Sequence, residues 1–297
     1  MSQYQVVHSA GDENEDDEVS ALVEENQGRA GKRAFNPETL RIIAYLAFWI
    51  MAGTAKVVTD LTVDEDKITN SSLVATFGYN NICVYWDYVP PMYITAMIYP
   101  AVEFPLLCYV GLNWLRTRRS YLVEHVSATH YYISTVLSVI QFVLFSWFRM
   151  IFVVRAFENV GGHTAPFTGF QLALTLNAIQ NLLFYGYSEN HTKVFDGFQR
   201  FVGKLYLGCV IIITVMKQTI SWLAICKASS LAGFCHSYAL DISQESNRTF
   251  AQTLDRLWLV FLAVIPLFLA MYTRSKSVSL DFDVTVVGAG VRKSHFC

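Results

Sequence analysis

Charge is what this 297-residue chain has least of. Only 15% of its residues are charged, against 53% hydrophobic and 14% aromatic. A soluble globular domain averages about 25% charged residues, and the mean hydropathy here is +0.34. That shortage excludes a disordered chain and fits an ordinary soluble enzyme poorly. Six cysteines are too few to build a disulfide scaffold of this length. Sixteen glycines and seven prolines exclude a collagen-like repeat. No Gly-rich phosphate loop, metal-spaced His/Cys cluster or pair of hydrolytic carboxylates can be picked out. Gly288-Ala289-Gly290 has no helical pattern after it, so it is not a dinucleotide fingerprint. No histidine pair falls in an apolar run, which argues against haem. The expectation is a non-enzyme with no cofactor, no metal and no nucleic-acid partner.

What charge there is lies unevenly. Eight of the 24 acids sit between Asp12 and Glu25, so the rest of the chain carries sixteen acids against 22 bases, a net of about +6. Residues 1–36 have no apolar periodicity and read as a disordered acidic cytosolic tail. Tyr4-Gln5-Val6-Val7 and the acids ahead of Leu22-Val23 resemble endosomal and lysosomal sorting signals.

Apolar runs dominate the remainder. A helix needs about 20 mostly apolar residues to cross the hydrocarbon. Six candidates run over about 41–59, 91–114, 130–154, 168–187, 205–226 and 255–273. The fold expected is therefore all-α, a polytopic integral membrane protein with a six-transmembrane-helix bundle over 37–276 and a cytosolic tail at 277–297. Basic residues set its orientation. Arg116, Arg118 and Arg119 lie between segments two and three, and Lys193, Arg200 and Lys204 between four and five. Arg29, Lys32, Arg33 and Arg41 precede the bundle; Arg274, Lys276, Arg292 and Lys293 follow it. The connection between segments one and two instead carries Asp60, Asp64, Glu65, Asp66 and Asp87. Both termini are thereby expected in the cytosol. Glycosylation sequons at Asn70 and Asn247 fall on the outer side, and one at Asn190 on the cytosolic side, where it should stay bare. Cys83 and Cys235 lie in the two long outer loops and are candidates for a disulfide, with Cys226 a rival partner.

Polar groups at membrane depth each call for a partner or a role. Counting residues inward from the predicted ends puts Glu103, Gln141, Asn177 and Lys217 at one level, near the midplane. Glu103 and Lys217 are then the expected ion pair of a polar layer. Asn177, Gln180 and Asn181 share a helix face, as do Thr214, Lys217 and Ser221. Pro100 and Pro105 flank Glu103 and are expected to kink the second helix. Arg149, toward the outer end of the third segment, and Arg155 just beyond it are candidates for contact with an anion or a lipid headgroup. The layer either lines a path for an ion or small solute, or holds the bundle together.

Trp86-Asp87-Tyr88-Val89-Pro90-Pro91 opens the second segment, and His163 and Phe167 precede the amide-bearing fourth. Over about residues 83–185 this arrangement resembles the six-helix family of damage-regulated autophagy modulators. That family's usual Ser-Asp-Thr-Gly run is replaced here by Trp86-Asp87-Tyr88-Val89. The resemblance implies an endomembrane or plasma-membrane protein that modulates autophagy or lipid handling, without a catalytic constellation.

Two functional readings follow. The first is a non-catalytic membrane regulator or scaffold in an endomembrane, lysosomal or plasma membrane. Its partners would be the lipid bilayer and either other membrane proteins or a second copy of itself. The second is a small-solute or ion transporter built on Glu103 and Lys217. An enzyme acting on lipid headgroups through Arg149 and Arg155 is a third, more remote class.

Overall fold

A computed structural model describes residues 33–124, 126–187, 197–228, 235, 238–276 and 282–284. The sorting-like patterns at Tyr4 and Glu18 and the sequon at Asn190 lie outside them.

The helical unit is built from long rods. α1 (Glu38–Thr62) buries Ala44, Tyr45, Phe48, Met51, Ala52, Ala55 and Thr59, which recur at helical spacing along one stripe. Its other side shows Ile43, Leu46, Ile50 and Val57 to the surroundings. Two short helices follow, α2 (Glu65–Thr69) and α3 (Ser72–Phe77). Ser71 caps α3 by accepting from the Val74 amide, and Gly78 ends it in the left-handed conformation at φ 81°. A 3-10 turn at Ile82–Trp86 leads to α4 (Pro91–Ile98), which meets α5 (Pro100–Leu122) at the expected proline break. α6 (Ala128–Trp147) is capped by Ser127 and runs into a 3-10 turn at Phe148–Phe152. α7 (Val160–Tyr187) and α8 (Gly197–Ala228) follow. The last rod is α9 (Glu245–Leu259), a π turn at Val260–Val264, and α10 (Ile265–Lys276).

That π turn has a chemical cause. Pro266 has no amide hydrogen for the Leu262 carbonyl. The neighbouring carbonyls are taken by side chains instead: Phe261 accepts from the Tyr206 hydroxyl at 2.6 Å and Ala263 from the Trp49 indole at 3.4 Å. A proline inside an apolar rod is thus accommodated by donors from two other helices.

Five stretches are long and apolar enough to cross a membrane: Glu38–Thr62, Pro91–Leu122, Ala128–Phe152, Phe201–Lys227 and Glu245–Ser275. Met97, Leu61, Phe104 and Phe268 are all more than 60% exposed on them. Apolar side chains outside and polar ones within suit a lipid surrounding, and the chain is a multi-pass helical protein of that kind. α7 is 28 residues long but is not among the five. It packs against α6 and α8, and its polar side chains are turned inward.

Aromatic rings fill the core beside α7. Trp86 is fully buried and meets Phe148, Phe152 and Phe167 edge-on, with centroids 5.6–6.4 Å apart. Phe167 in turn meets Trp258. The connection between α1 and α4 therefore plugs into the bundle rather than floating above it.

Most helices run past the bounds expected from sequence, although the third ends at Trp147 and its 3-10 turn at Phe152, short of 154. α7 begins eight residues before 168, so His163 belongs to the helix and not to a loop. α5 extends to Leu122, so Arg116, Arg118 and Arg119 lie in its last turns. α9 begins ten residues before 255, which places Asp255 inside a helix. Apolar runs mark only the portion of a helix in hydrocarbon; amphipathic turns carry on past it.

A second unit contains a two-stranded antiparallel pair, β1 (Arg33–Phe35) and β2 (Phe282–Val284). Arg33 lies opposite Val284 and Phe35 opposite Phe282. All-α thus describes the helical unit, while Arg33–Phe35, in the tail expected to be disordered, pairs as a strand with Phe282–Val284. Backbone hydrogen bonding across the pair is a signal that apolar periodicity does not report.

Candidate functional site

Among the described residues, polar side chains inside the bundle include one extended network and two smaller groups. The network is centred on α7. Gln141 of α6 accepts from Asn177 at 3.0 Å and donates to Gln180 at 2.7 Å. Gln180 donates to the hydroxyls of Ser134 at 2.6 Å and Ser138 at 2.9 Å. Asn177 accepts from Asn181 at 2.9 Å, and Asn181 accepts from Tyr109 at 2.6 Å. Tyr109 lies near the carboxylate of Glu38, which pairs with Arg41 at 2.8 Å. Asn113 joins from α5, accepting from Arg116 at 2.6 Å. All these side chains are under 9% exposed. An amide has two donor hydrogens and an acceptor oxygen, and here successive amides meet donor to acceptor.

A second group ties α7 to α8. Thr175 and Thr214 share a hydrogen bond of 2.8 Å, and Gln218 donates to the Thr168 carbonyl and to Gln171 at 3.0 and 3.1 Å.

The third group contains a buried ion pair. Lys217 of α8 pairs with Asp255 of α9, both with side chains under 10% exposed. Lys217 also donates to the Tyr79 hydroxyl at 3.4 Å. Burial pushes the Tyr79 phenol up to about 12, so it stays protonated. Lys217 lines a small cleft between α3, α8, α9 and the segment carrying Leu240 and Ile242.

The expected Glu103–Lys217 pair is corrected by these contacts. Glu103 pairs with Arg149, and Lys217 with Asp255. Residue counting along a straight normal put Glu103 and Lys217 level, but Arg149 in the 3-10 turn after α6 meets Glu103, and the longer α9 supplies Asp255 to Lys217. Of the expected layer, only Gln141 and Asn177 are joined. Arg149 is engaged by Glu103 while its side chain stays 60% exposed, and Arg155 lies over the Phe157 ring at 5.6 Å. The Cys83–Cys235 disulfide is also corrected. Cys235 bonds to Cys226, nine residues before it, and Cys83 is a buried free thiol. Cys83 lies within the Asn81-capped 3-10 turn and is buried in the core. Burial raises its thiol well above the usual range.

Asn70 is exposed, and Asn247 is half-buried; each donates its side-chain amide to a backbone carbonyl, Asp66 at 2.9 Å and Asp241 at 3.0 Å. Asp87 accepts from the Ala156 amide at 2.6 Å, and His163 contacts the Val154 carbonyl at 2.7 Å, so both fasten the connection before α7. Among the described residues, no group of three His, Cys, Asp or Glu side chains is placed to hold a metal ion.

Sequence reasoning missed Glu38, Arg41, Tyr109, Asn113, Arg116, Asp255 and Tyr79. A signal existed for some of them. Tyr109, Asn113 and Arg116 recur at i, i+4 and i+7, as do Ser134, Ser138 and Gln141. Tyr79 had none, because it arrives from a loop.

No family model, curated protein or solved structure matches the chain.

Proposed function

We propose that this chain is a non-catalytic regulator or scaffold of six membrane spans with both termini in the cytosol. Its polar core specifies how the helices pack. The observation that carries this reading is the amide network of Gln141, Asn177, Gln180 and Asn181, whose members are buried, joined in a chain and tied to Ser134, Ser138, Tyr109 and Asn113. Interhelical polar contacts in membranes contribute about 0.6–2 kcal/mol each. A network of this kind fixes one register among helices that lipid would otherwise leave free to slide. α7 supplies the sixth span: it is long enough, and its polar face is shielded by α6 and α8. The arrangement before α4 that resembles the autophagy modulators is in keeping with a regulator in an endomembrane, lysosomal or plasma membrane.

Reconstitution tests the reading directly. Liposomes carrying the protein should pass protons, potassium, chloride and small solutes no faster than empty ones. A flux that Gln141→Leu abolishes in a folded protein would overturn it. Transport is the second reading, and the cleft that reaches Lys217 is the observation in its favour.

A further inference from the structure

We propose that Arg149, positioned by Glu103, binds the phosphate of a glycerophospholipid in the leaflet at the C-terminal end of α6. The inference goes beyond the scaffold reading and holds equally if the protein transports a solute.

α6 sets the depth of the site. It has 20 residues, Ala128–Trp147. At about 1.5 Å per residue it is about 30 Å long, which is the thickness of the hydrocarbon. Arg149 follows in the 3-10 turn Phe148–Phe152, just beyond the rod, where acyl chains give way to headgroups. Glu103 pairs with it and therefore lies at that level too, rather than at the midplane.

The guanidinium faces outward. Its side chain is 60% exposed although it is paired, while that of Glu103 is only 11% exposed. The neighbours in sequence are exposed and apolar: Phe104 after Glu103, and Met150 and Val153 after Arg149. A guanidinium has five N–H donors, and among the described residues its side-chain hydrogen bond goes to Glu103. Donors in a lipid surrounding need acceptors. Phosphate oxygens match the guanidinium fork and take two parallel hydrogen bonds at once.

Charge decides where the phosphate comes from. Arg149 and Glu103 neutralise each other, so the pair has little long-range pull on a free anion in solution. A bilayer brings phosphate to it without such steering, and the exposed apolar side chains lie against the acyl chains. Glu103 restrains a long arm that would otherwise wander along the interface, so less order is lost when the lipid binds. Arg155, which lies over the Phe157 ring at 5.6 Å, makes a nearby comparison.

Native mass spectrometry of the full-length protein, released from detergent with added dioleoylphosphatidylcholine or dioleoylglycerol, tests this. The two probes share their acyl chains and differ in the phosphate-bearing head. The first phosphatidylcholine should be held at least about tenfold more tightly than the first dioleoylglycerol. Arg149→Leu should abolish that preference and leave dioleoylglycerol binding unchanged. If Arg149→Leu fails to fold with Glu103 unpaired, Arg149→Leu with Glu103→Leu removes both charges and should give the same loss. Glu103→Gln keeps the guanidinium but loosens it, and should weaken phosphatidylcholine binding about threefold. Arg155→Leu should leave the preference intact. No preference for phosphatidylcholine in the unaltered protein overturns the proposal, because interfacial water then satisfies Arg149. So does a preference that survives loss of Arg149, or an equal loss in Arg155→Leu. Full binding in Glu103→Gln overturns the positioning role of Glu103.

Discussion

Lys217 shows how much a single side chain depends on its partner. Removing the ammonium leaves Asp255 buried and uncompensated, at a cost of about 3–5 kcal/mol. Lys217→Met should therefore lower the unfolding midpoint sharply, while Lys217→Met with Asp255→Leu should recover most of the loss. A double variant as unstable as the single would mean the pair is not the reason. Gln141 answers to the same logic without charge. Gln141→Leu strands a donor on Asn177 and an acceptor on Gln180. The expected loss is about 1–3 kcal/mol, read from thermal unfolding in detergent. Asp241 gives a pH dependence outside the spans. The hydroxyl and amide of Ser243 hold its carboxyl below the ordinary 3.8. A depressed carboxylate stabilises its turn above the unfolded value and loses that contribution as pH falls through the folded one. Hydrogen exchange at the Ser243 amide should thus quicken, relative to its intrinsic rate, only below about pH 3.8; the same protection at pH 2.5 and pH 6 would contradict it.

Single elements make their own demands. α3 ends on Gly78 at φ 81°, where an L side chain costs about 1–2 kcal/mol. An added Cβ would also meet Arg248 at 2.9 Å and Ile242 at 3.1 Å. Gly78→Ala should lower stability by at least that amount, whereas Gly111→Ala, with nothing within 4 Å of its Cβ, should not destabilise α5. The end of α8 is tied by Cys226 and Cys235. Peptide mapping under native conditions should recover those two cysteines linked and Cys83 unalkylated until the protein unfolds; a Cys83-linked peptide would refute the assignment. α7 is the element where composition misleads most. Its buried amides make it the one long rod between α1 and α10 too polar for a hydropathy criterion, yet they fall on faces that α6 and α8 cover.

At the level of the whole helical unit, polar groups are buried beside an aromatic core. Apolar side chains line the perimeter, and the polar network and the ion pair lie within. The proposed six-span topology would place Asn70 and Asn247 on the outer face. Asn70 is the more exposed of the two, so the sugar should go there first, with Asn247 partly occupied and Asn190 bare. Glycosidase-induced mass shifts on single Asn→Gln variants read this out; sugar on Asn190 would invert the topology. The prevalence of long apolar helices was legible because hydrocarbon imposes length and composition on each span separately. The faces of α7 and α8 were legible from spacing, and so were Gln141 and Asn177 as partners. Glu103 and Lys217 were legible as buried charges but not as pairs. Pairing depends on where the 3-10 turn after α6 and the start of α9 fall, and neither is set by residue counting.

The sequence by itself determined that this is a helical membrane protein, that Glu103, Gln141, Asn177 and Lys217 are buried within it, and that a proline break falls at Pro100. Each is a local property, read from runs of side chains against a fixed thickness of hydrocarbon. Only the tertiary structure decided who meets whom. Arg149 took Glu103, Asp255 took Lys217, and Cys226 took Cys235. Tyr79 and Trp86 came down from a loop to complete a cleft and a core. Those contacts join residues distant in the chain, and buried charges, donors and thiols pair with whatever packing brings within reach.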